Sequence, residues 1–297
     1  MPHCCGFTKR TFLKTKLQVL AITNYRPDQQ QSMLRFGDLL LSRKNAHSNF
    51  DFHEIFPSPI FRMACPAKKF QKWAAYIDKY ILFPKRLKRE FLTQKDPVHL
   101  IHITDHSNAI YLPKLSRITQ TKKIITCHDL IAIRTAKGDF TQAPQISESG
   151  KRLQSWIADS LYHADYYACD SRQTLEDLNS LIPGSKEYSS ILHLGTEDLS
   201  QKLDREDLSK KLPFALHNKN FLLHVGSSAW YKNRKAVFRS FVHAQKTLPD
   251  HDLKLVLVGP EPQKEELDDH LSNWFKTHPN AIYSLQNLTE NSLGELY

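Results

Sequence analysis

Glycine is scarce, at nine of 297 residues, and cysteine scarcer, at five positions (Cys4, Cys5, Cys65, Cys127, Cys169) with no C-x-x-C pair. An odd, scattered set of this kind argues against a disulfide framework or a spaced zinc site, so the thiols are read as reduced. No apolar run is long enough to span a bilayer, and the opening MPHCCGFTKR lacks the apolar core of a signal peptide. The expectation is a cytoplasmic chain with a disordered leader, acylation of Cys4 and Cys5 being a second reading of that leader. Recognition helices, RNP motifs and zinc fingers are also missing, so the net charge of +10 is not read as nucleic-acid binding. Acidic lipid and phosphorylated substrate remain as anionic partners.

What is present is 40% hydrophobic residues over a length that favours two domains. Residues 221–258 read as one strand–loop–helix–strand unit: an apolar run from Phe221 to Val225, a turn at Gly226, cations at Lys232, Arg234 and Lys235, a helix-period segment, and a second apolar run ending Val258-Gly259-Pro260. The loop after the first strand of such a unit lies at the carboxyl edge of a parallel sheet, where backbone N–H groups and a helix N-terminus attract phosphate. A lysine at the helix mouth adds a point charge suited to a diphosphate, although a solvated lysine on that helix is the plainer alternative.

Upstream, the strands Leu17 to Ile22, Phe50 to Phe56, Val98 to Ile103, Lys122 to Cys127, Tyr166 to Cys169 and Ser189 to Leu194 alternate with helical segments. The third and fourth run into polar residues, Thr104-Asp105-His106 and His128-Asp129, where sites of α/β sheets assemble. Residues Asn24, Tyr25, Arg26 and Asp28 follow the first strand without diagnostic spacing and are read as surface loop. Residues 133–150 read as a polar loop above the active edge, with Arg134 facing an acidic acceptor or simply exposed. A helix over 68–83 carries Phe70, Trp73, Ile77, Tyr80 and Ile81 as its apolar stripe, with Pro84 stopping it. That stripe is read as packed on the sheet, in preference to peripheral contact with the inner face of an anionic membrane.

The Val-Gly strand end, the Lys-Asn-Arg loop, the Val-Gly-Pro strand end, the T-x-H-D loop (Thr126, Cys127, His128, Asp129) and the D-S-x-x-T segment from Asp170 to Thr174 resemble GT-B glycosyltransferases of family 4. The resemblance implies an α/β GT-B type fold with two Rossmann-like domains and parallel sheets, the second truncated. Its parts would be a leader over 1–16, an acceptor-side domain over 17–195, a linker over 196–213 and a partial nucleotide-sugar domain over 214–297. The cleft between the domains would be the active site. It further implies His128 facing the reacting sugar and a donor held by Gly226, Ser227, Lys232, Arg234, Gly259, Gln286 and Leu288. Asp105, His106, Asp129 and Arg134 would lie on the acceptor side.

The function so implied is retaining, hexosyl-type transfer from a nucleotide-sugar to an unidentified hydroxyl acceptor, with neither metal nor cofactor. The family's E-x7-E segment is absent up to Tyr297, so this chain is expected to be an inactive fragment. A sugar-nucleotide epimerase and a non-catalytic truncated binding protein are the alternatives.

Overall fold

The structure, a computed structural model, describes residues 16–28, 30–42, 49–93, 96–195, 220–248, 251–286, 288, 290–294 and 296–297. The leader through residue 15, the linker over 196–213 and Thr289, a residue suited to cap a final helix, lie outside the described residues. Two compact units divide the chain, the first running to Thr141 and from Gln145 to Leu194, the second taking Gln142–Pro144 and the residues from Gly195 on.

In the first unit Leu17–Ile22 (β1) is buried along its last four residues, as suits a strand covered on both faces. It is followed by Gln31–Ser42 (α1), Phe50–Ile55 (β2), Ile60–Ala64 (α2), Gln71–Ile77 (α3), a π-helical turn at Asp78–Leu82 and Phe83–Thr93 (α4). Leu100–Ile103 (β3), Leu112–Ile118 (α5), Lys122–Cys127 (β4), Ile131–Lys137 (α6), Glu148–Leu161 (α7), Tyr166–Cys169 (β5), Arg172–Leu181 (α8) and Ser189–Ile191 (β6) complete it. The six strands pair in parallel in the order β2-β1-β3-β4-β5-β6. The order reverses between β1 and β3, and the carboxyl edge at such a switch point is where open α/β sheets bind ligands. Leu20, Ile22, Ile101, Ile103, Ile125 and Cys127 on the strands pack with Phe83, Leu87, Tyr111 and Leu161 from the helical layer.

The second unit repeats the scheme on a smaller scale: Phe221–Val225 (β7), Arg234–Thr247 (α9), Lys254–Val258 (β8), Asp269–Thr277 (α10), Ile282–Leu285 (β9) and Glu290–Gly294 (α11). Its strands are parallel in the order β7-β8-β9. Phe238, Phe241, Leu255, Leu257 and Leu271 form the core on one side of this sheet, Val256 and Leu296 that on the other.

Three expectations about elements are corrected. The segment over 133–150 is not one long loop, because α6 runs to Lys137 and α7 starts at Glu148. Gly138 ends α6 in the left-handed conformation (φ 86°), and the Ser147 side chain accepts the Gly150 N–H at the start of α7. Residues 264–275, whose sequence suits a single helix, are instead broken into a short 3-10 turn at Lys264–Glu266 and α10, which Asp268 caps by accepting the Leu271 N–H.

Pro84 does not stop the helix it falls in. Helical structure continues through it into α4 because the preceding turn widens, the Phe83 N–H reaching back five residues to the Asp78 carbonyl. That widening slips the helical phase for Ile81 and beyond, and Phe70 and Trp73 precede it, where a 3-10 turn runs into α3; the stripe read with a constant period is not the buried face. Ala74, Ala75, Asp78, Phe83 and Leu87 face inward, while Phe70, Trp73 and Ile81 are exposed.

Candidate functional site

The carboxyl edge of the first sheet carries a connected group of buried polar residues. Asn24, just past β1, donates to the Asp105 carboxylate just past β3, and its side-chain oxygen accepts from Asn108 at 3.1 Å. Asn24 and Tyr25 are therefore buried members of the edge and not the surface loop expected of them. Arg26 and Asp28 do lie outward, paired with Glu54 and Lys79. Asp105 also caps the 3-10 turn over His106–Tyr111, accepting from Ser107 N at 3.0 Å and Ser107 Oγ at 2.8 Å. Burial alone would raise its pKa, but hydrogen bonds from His106, Ser107 and Asn24 hold the carboxyl well below the usual range. For His106 burial works downward, and the adjacent Asp105, helped by Asp129 and Asp170, raises it overall.

His128 follows β4 directly. Its Nε2 lies 3.0 Å from the Thr104 carbonyl, which fixes this nitrogen as the N–H donor, and its ring edge meets Phe36 of α1 at 4.8 Å between centroids. Nδ1 has no hydrogen-bond partner and stands 3.5 Å from Asp170 Oδ2. The pairing follows from register: Cys127 and Cys169 are opposite one another in β4 and β5, so His128 and Asp170 leave the sheet side by side. Thr174, capped with Ser171 at the start of α8, donates to the His128 carbonyl at 3.0 Å and to Asp170 at 3.3 Å. The D-S-x-x-T segment thus reaches the histidine directly.

Asp129 accepts the Ile131 N–H at 3.0 Å and starts α6. Arg134 is held by Asp139 at 3.0 Å and Asp177 at 2.8 Å, and stacks over Phe140; both carboxylates occupy a guanidinium expected to face an acceptor.

At the carboxyl edge of the second sheet the ends of β7 and β8 touch. Gly226 N donates to the Val258 carbonyl at 3.0 Å, so this amide serves the sheet ladder and not a ligand. Gly259 has φ of 149°, and a Cβ there would come within 2.2 Å of the Gly226 carbonyl oxygen, so only glycine fits. Lys232 closes a 3-10 turn over Trp230–Lys232 and is separated from α9 by Asn233 in the left-handed region (φ 48°), a turn earlier than the helix mouth expected for it. Its aliphatic chain lies back over Gly226, with Cδ 3.9 Å from where a Cβ on that glycine would be. Ser227 is exposed and its hydroxyl accepts the Ala229 N–H at 3.4 Å.

Arg234 is turned inward, its side chain only 1% exposed, with Nη2 donating to the Pro260 carbonyl at 2.9 Å and Nε 3.4 Å from Glu266. Arg234, expected among the residues that hold the donor, is a brace between α9 and the end of β8. Its Nε and Nη1 are buried without hydrogen-bond partners. His224, which sequence reading passed over as a strand residue, lies beneath Gly226. Partial burial, then Arg234 and Lys232, lower its pKa, a sign of positive potential at this edge. Gln286 past β9 is exposed, whereas the Leu288 side chain packs on the Val256 and Leu296 core.

No family model and no curated sequence matches the chain. Solved structures do match. One is an alpha,alpha-trehalose-phosphate synthase (UDP-forming) from Burkholderia xenovorans in complex with glucose-6-phosphate (TM-score 0.59, 9% identity, covering 94% of this chain and 76% of that one). A second is Alr3699/HepE of Anabaena in complex with UDP-glucose (TM-score 0.56, 12% identity, 94% and 71% covered). A third is the alpha,alpha-trehalose 6-phosphate synthase of Burkholderia multivorans (TM-score 0.54, 11% identity, 94% and 74% covered). With its six- and three-stranded parallel sheets, the chain has the GT-B type α/β fold of glycosyltransferases.

Proposed function

We propose that this protein is a glycosyltransferase that takes its sugar from a nucleoside-diphosphate sugar and passes it to a hydroxyl acceptor with retention of configuration. The observation that carries this reading is the cationic edge of the second sheet, where Lys232 lies over Gly226 and Arg234 keeps two unsatisfied buried donors. The donor complexes among the structural neighbours, UDP-glucose in HepE above all, support the choice of nucleotide-sugar.

Negative charge accumulates on the diphosphate as the glycosidic bond breaks. Lys232 stabilises that leaving group as a mobile point charge, and Arg234 maintains positive potential with little reorganisation. Gly259 and Gly226 keep the strand ends low enough for a phosphate to approach the backbone. On the first unit His128 faces the reacting sugar, its ring fixed by the Thr104 carbonyl and Phe36 and its free Nδ1 beside Asp170. Asp105, His106 and Asp129 line the acceptor edge, and Ser227 and Gln286 are exposed polar groups on the donor edge.

Calorimetric titration of UDP-glucose and other nucleotide-sugars into the protein and its Lys232→Ala variant tests the reading. A charge-assisted hydrogen bond worth about 1.5–3 kcal/mol predicts affinity reduced about ten- to a hundredfold. Equal affinity with an intact fold removes Lys232 from the site, and no binding of any nucleotide-sugar to the parent protein removes the proposed function.

A further inference from the structure

From Phe56 to Ile77 the chain has no acidic residue, while Arg62, Lys68, Lys69 and Lys72 are basic. Within the same stretch Ile60, Phe61, Met63, Phe70 and Trp73 are all exposed, Met63 at 81% and Trp73 at 64%. A single exposed apolar side chain is ordinary in a soluble surface; a cluster of them beside cations marks an interaction site.

The backbone that presents this cluster is anchored. Asp78 is buried and accepts the N–H groups of Phe61 at 2.8 Å and Arg62 at 3.0 Å together with the Tyr25 hydroxyl at 2.9 Å. A buried carboxylate therefore holds the first turn of α2 while Ile60, Phe61 and Met63 face solvent. Next to it Lys69 Nζ lies 4.9 Å from the Phe70 ring centroid and Lys72 Nζ 5.9 Å from that of Tyr76. An aromatic row runs from Trp73 through Tyr76 and Tyr80 to the half-exposed Trp156 of α7, with centroids 5.3–5.7 Å apart.

We propose that the face formed by α2 and the start of α3, residues 60–73, docks on an anionic lipid bilayer. Ile60, Phe61, Met63 and Trp73 enter the boundary between headgroups and acyl chains, and Lys68, Lys69 and Lys72 meet the lipid phosphates. Charge complementarity favours lipid over protein, since lysine is depleted in protein–protein interfaces, whereas basic residues flanking tryptophan and aliphatic side chains are the composition of interfacial segments. Among the described residues no helix is long and apolar enough to cross a membrane, so this attachment is peripheral.

The test uses the whole chain with vesicles of phosphatidylcholine alone and of phosphatidylcholine with an equal amount of phosphatidylglycerol. Cosedimentation is expected with the anionic vesicles only, falling as salt rises. The triple variant Lys68→Ala, Lys69→Ala, Lys72→Ala should bind these vesicles roughly a hundredfold more weakly with unchanged circular dichroism. Brominated acyl chains should quench the tryptophan fluorescence of the parent protein, and Trp73→Phe should lose most of that quenching while keeping binding within a few-fold. Equal recovery with both vesicles, no recovery with either, or quenching that survives Trp73→Phe would each overturn the proposal. So would a dimer in solution that Phe61→Ser dissociates while vesicle binding is absent, because the face would then belong to a second copy.

Discussion

His102 and His106 stand four residues apart near the same sheet edge and carry opposite pH signatures. Burial, with His128 nearby, lowers His102 to about 4, and its Nε2 is hydrogen-bonded to Thr126 Oγ1 at 2.9 Å. The unfolded chain binds this proton more tightly, so the contribution of His102 is complete above its ordinary 6.5 and is lost as pH falls toward about 4. The pKa of His106 is raised despite burial, so its contribution is complete below 6.5 and is lost as pH climbs through the raised value. Thermal unfolding of His106→Asn should therefore show its largest loss of melting temperature below pH 6.5, with the gap to the parent protein closing as pH rises. A gap that widens with pH would contradict the pairing with Asp105. At this scale the sequence reveals a residue of the sheet's carboxyl edge only where an apolar run ends abruptly. Asp105, His106 and His128 are legible for that reason. Asn24 is not, since its partner Asp105 is 81 positions away, and Asp170 is not, since strand pairing alone brings it to His128. Arg234 misleads because a cation written beside a lysine looks solvent-facing until Pro260 and Glu266 fold over it.

Asp78 fixes how a whole segment is displayed. Three donors from two elements converge on one buried carboxylate, and Asp78→Ala would leave the Phe61 and Arg62 amides and the Tyr25 hydroxyl without it. The expected cost is about 3–5 kcal/mol in denaturant unfolding of the first unit. Asp78→Asn, which keeps one of the two acceptor oxygens and can still serve the Arg62 amide and the Tyr25 hydroxyl but not the Phe61 amide, should cost less than Asp78→Ala, and equal losses for both would mean that packing and not hydrogen bonding holds α2. The neighbouring π turn explains why helix reading fails here while strand reading succeeds. A strand is read from a run of apolar residues, and β1, β4, β5 and β7 fall within their predicted spans. A helix face is read from a period, and one widened turn changes the phase of everything beyond it. Ile81 is thus legible as helical, yet its direction is not; Phe70 and Trp73 lie before the widened turn, where a 3-10 turn runs into α3 and the period is already broken.

The two units have separate hydrophobic cores, one centred on Ile103 and Ile125, the other on Phe238 and Leu255. Scanning calorimetry should resolve two transitions. A nucleotide-sugar at a hundred times its dissociation constant should stabilise the second unit by about 2.7 kcal/mol and leave the first unmoved. A shift confined to the first transition would place the donor on the wrong sheet. The alternation of strands and helices, and hence the α/β class, is legible along the whole chain; the sheet order is not, because no residue encodes which edge a strand joins. That order also has a bearing on how the polypeptide is made. Every strand after the first of its sheet pairs with the one synthesised just before it, except β3. β3 passes over β2 and joins the far side of β1, and from there each new strand adds to the same edge. A chain emerging from the ribosome therefore switches its growing edge once, at β3, and otherwise adds a strand as soon as it appears, so a stalled ribosome would carry a smaller sheet of the same form.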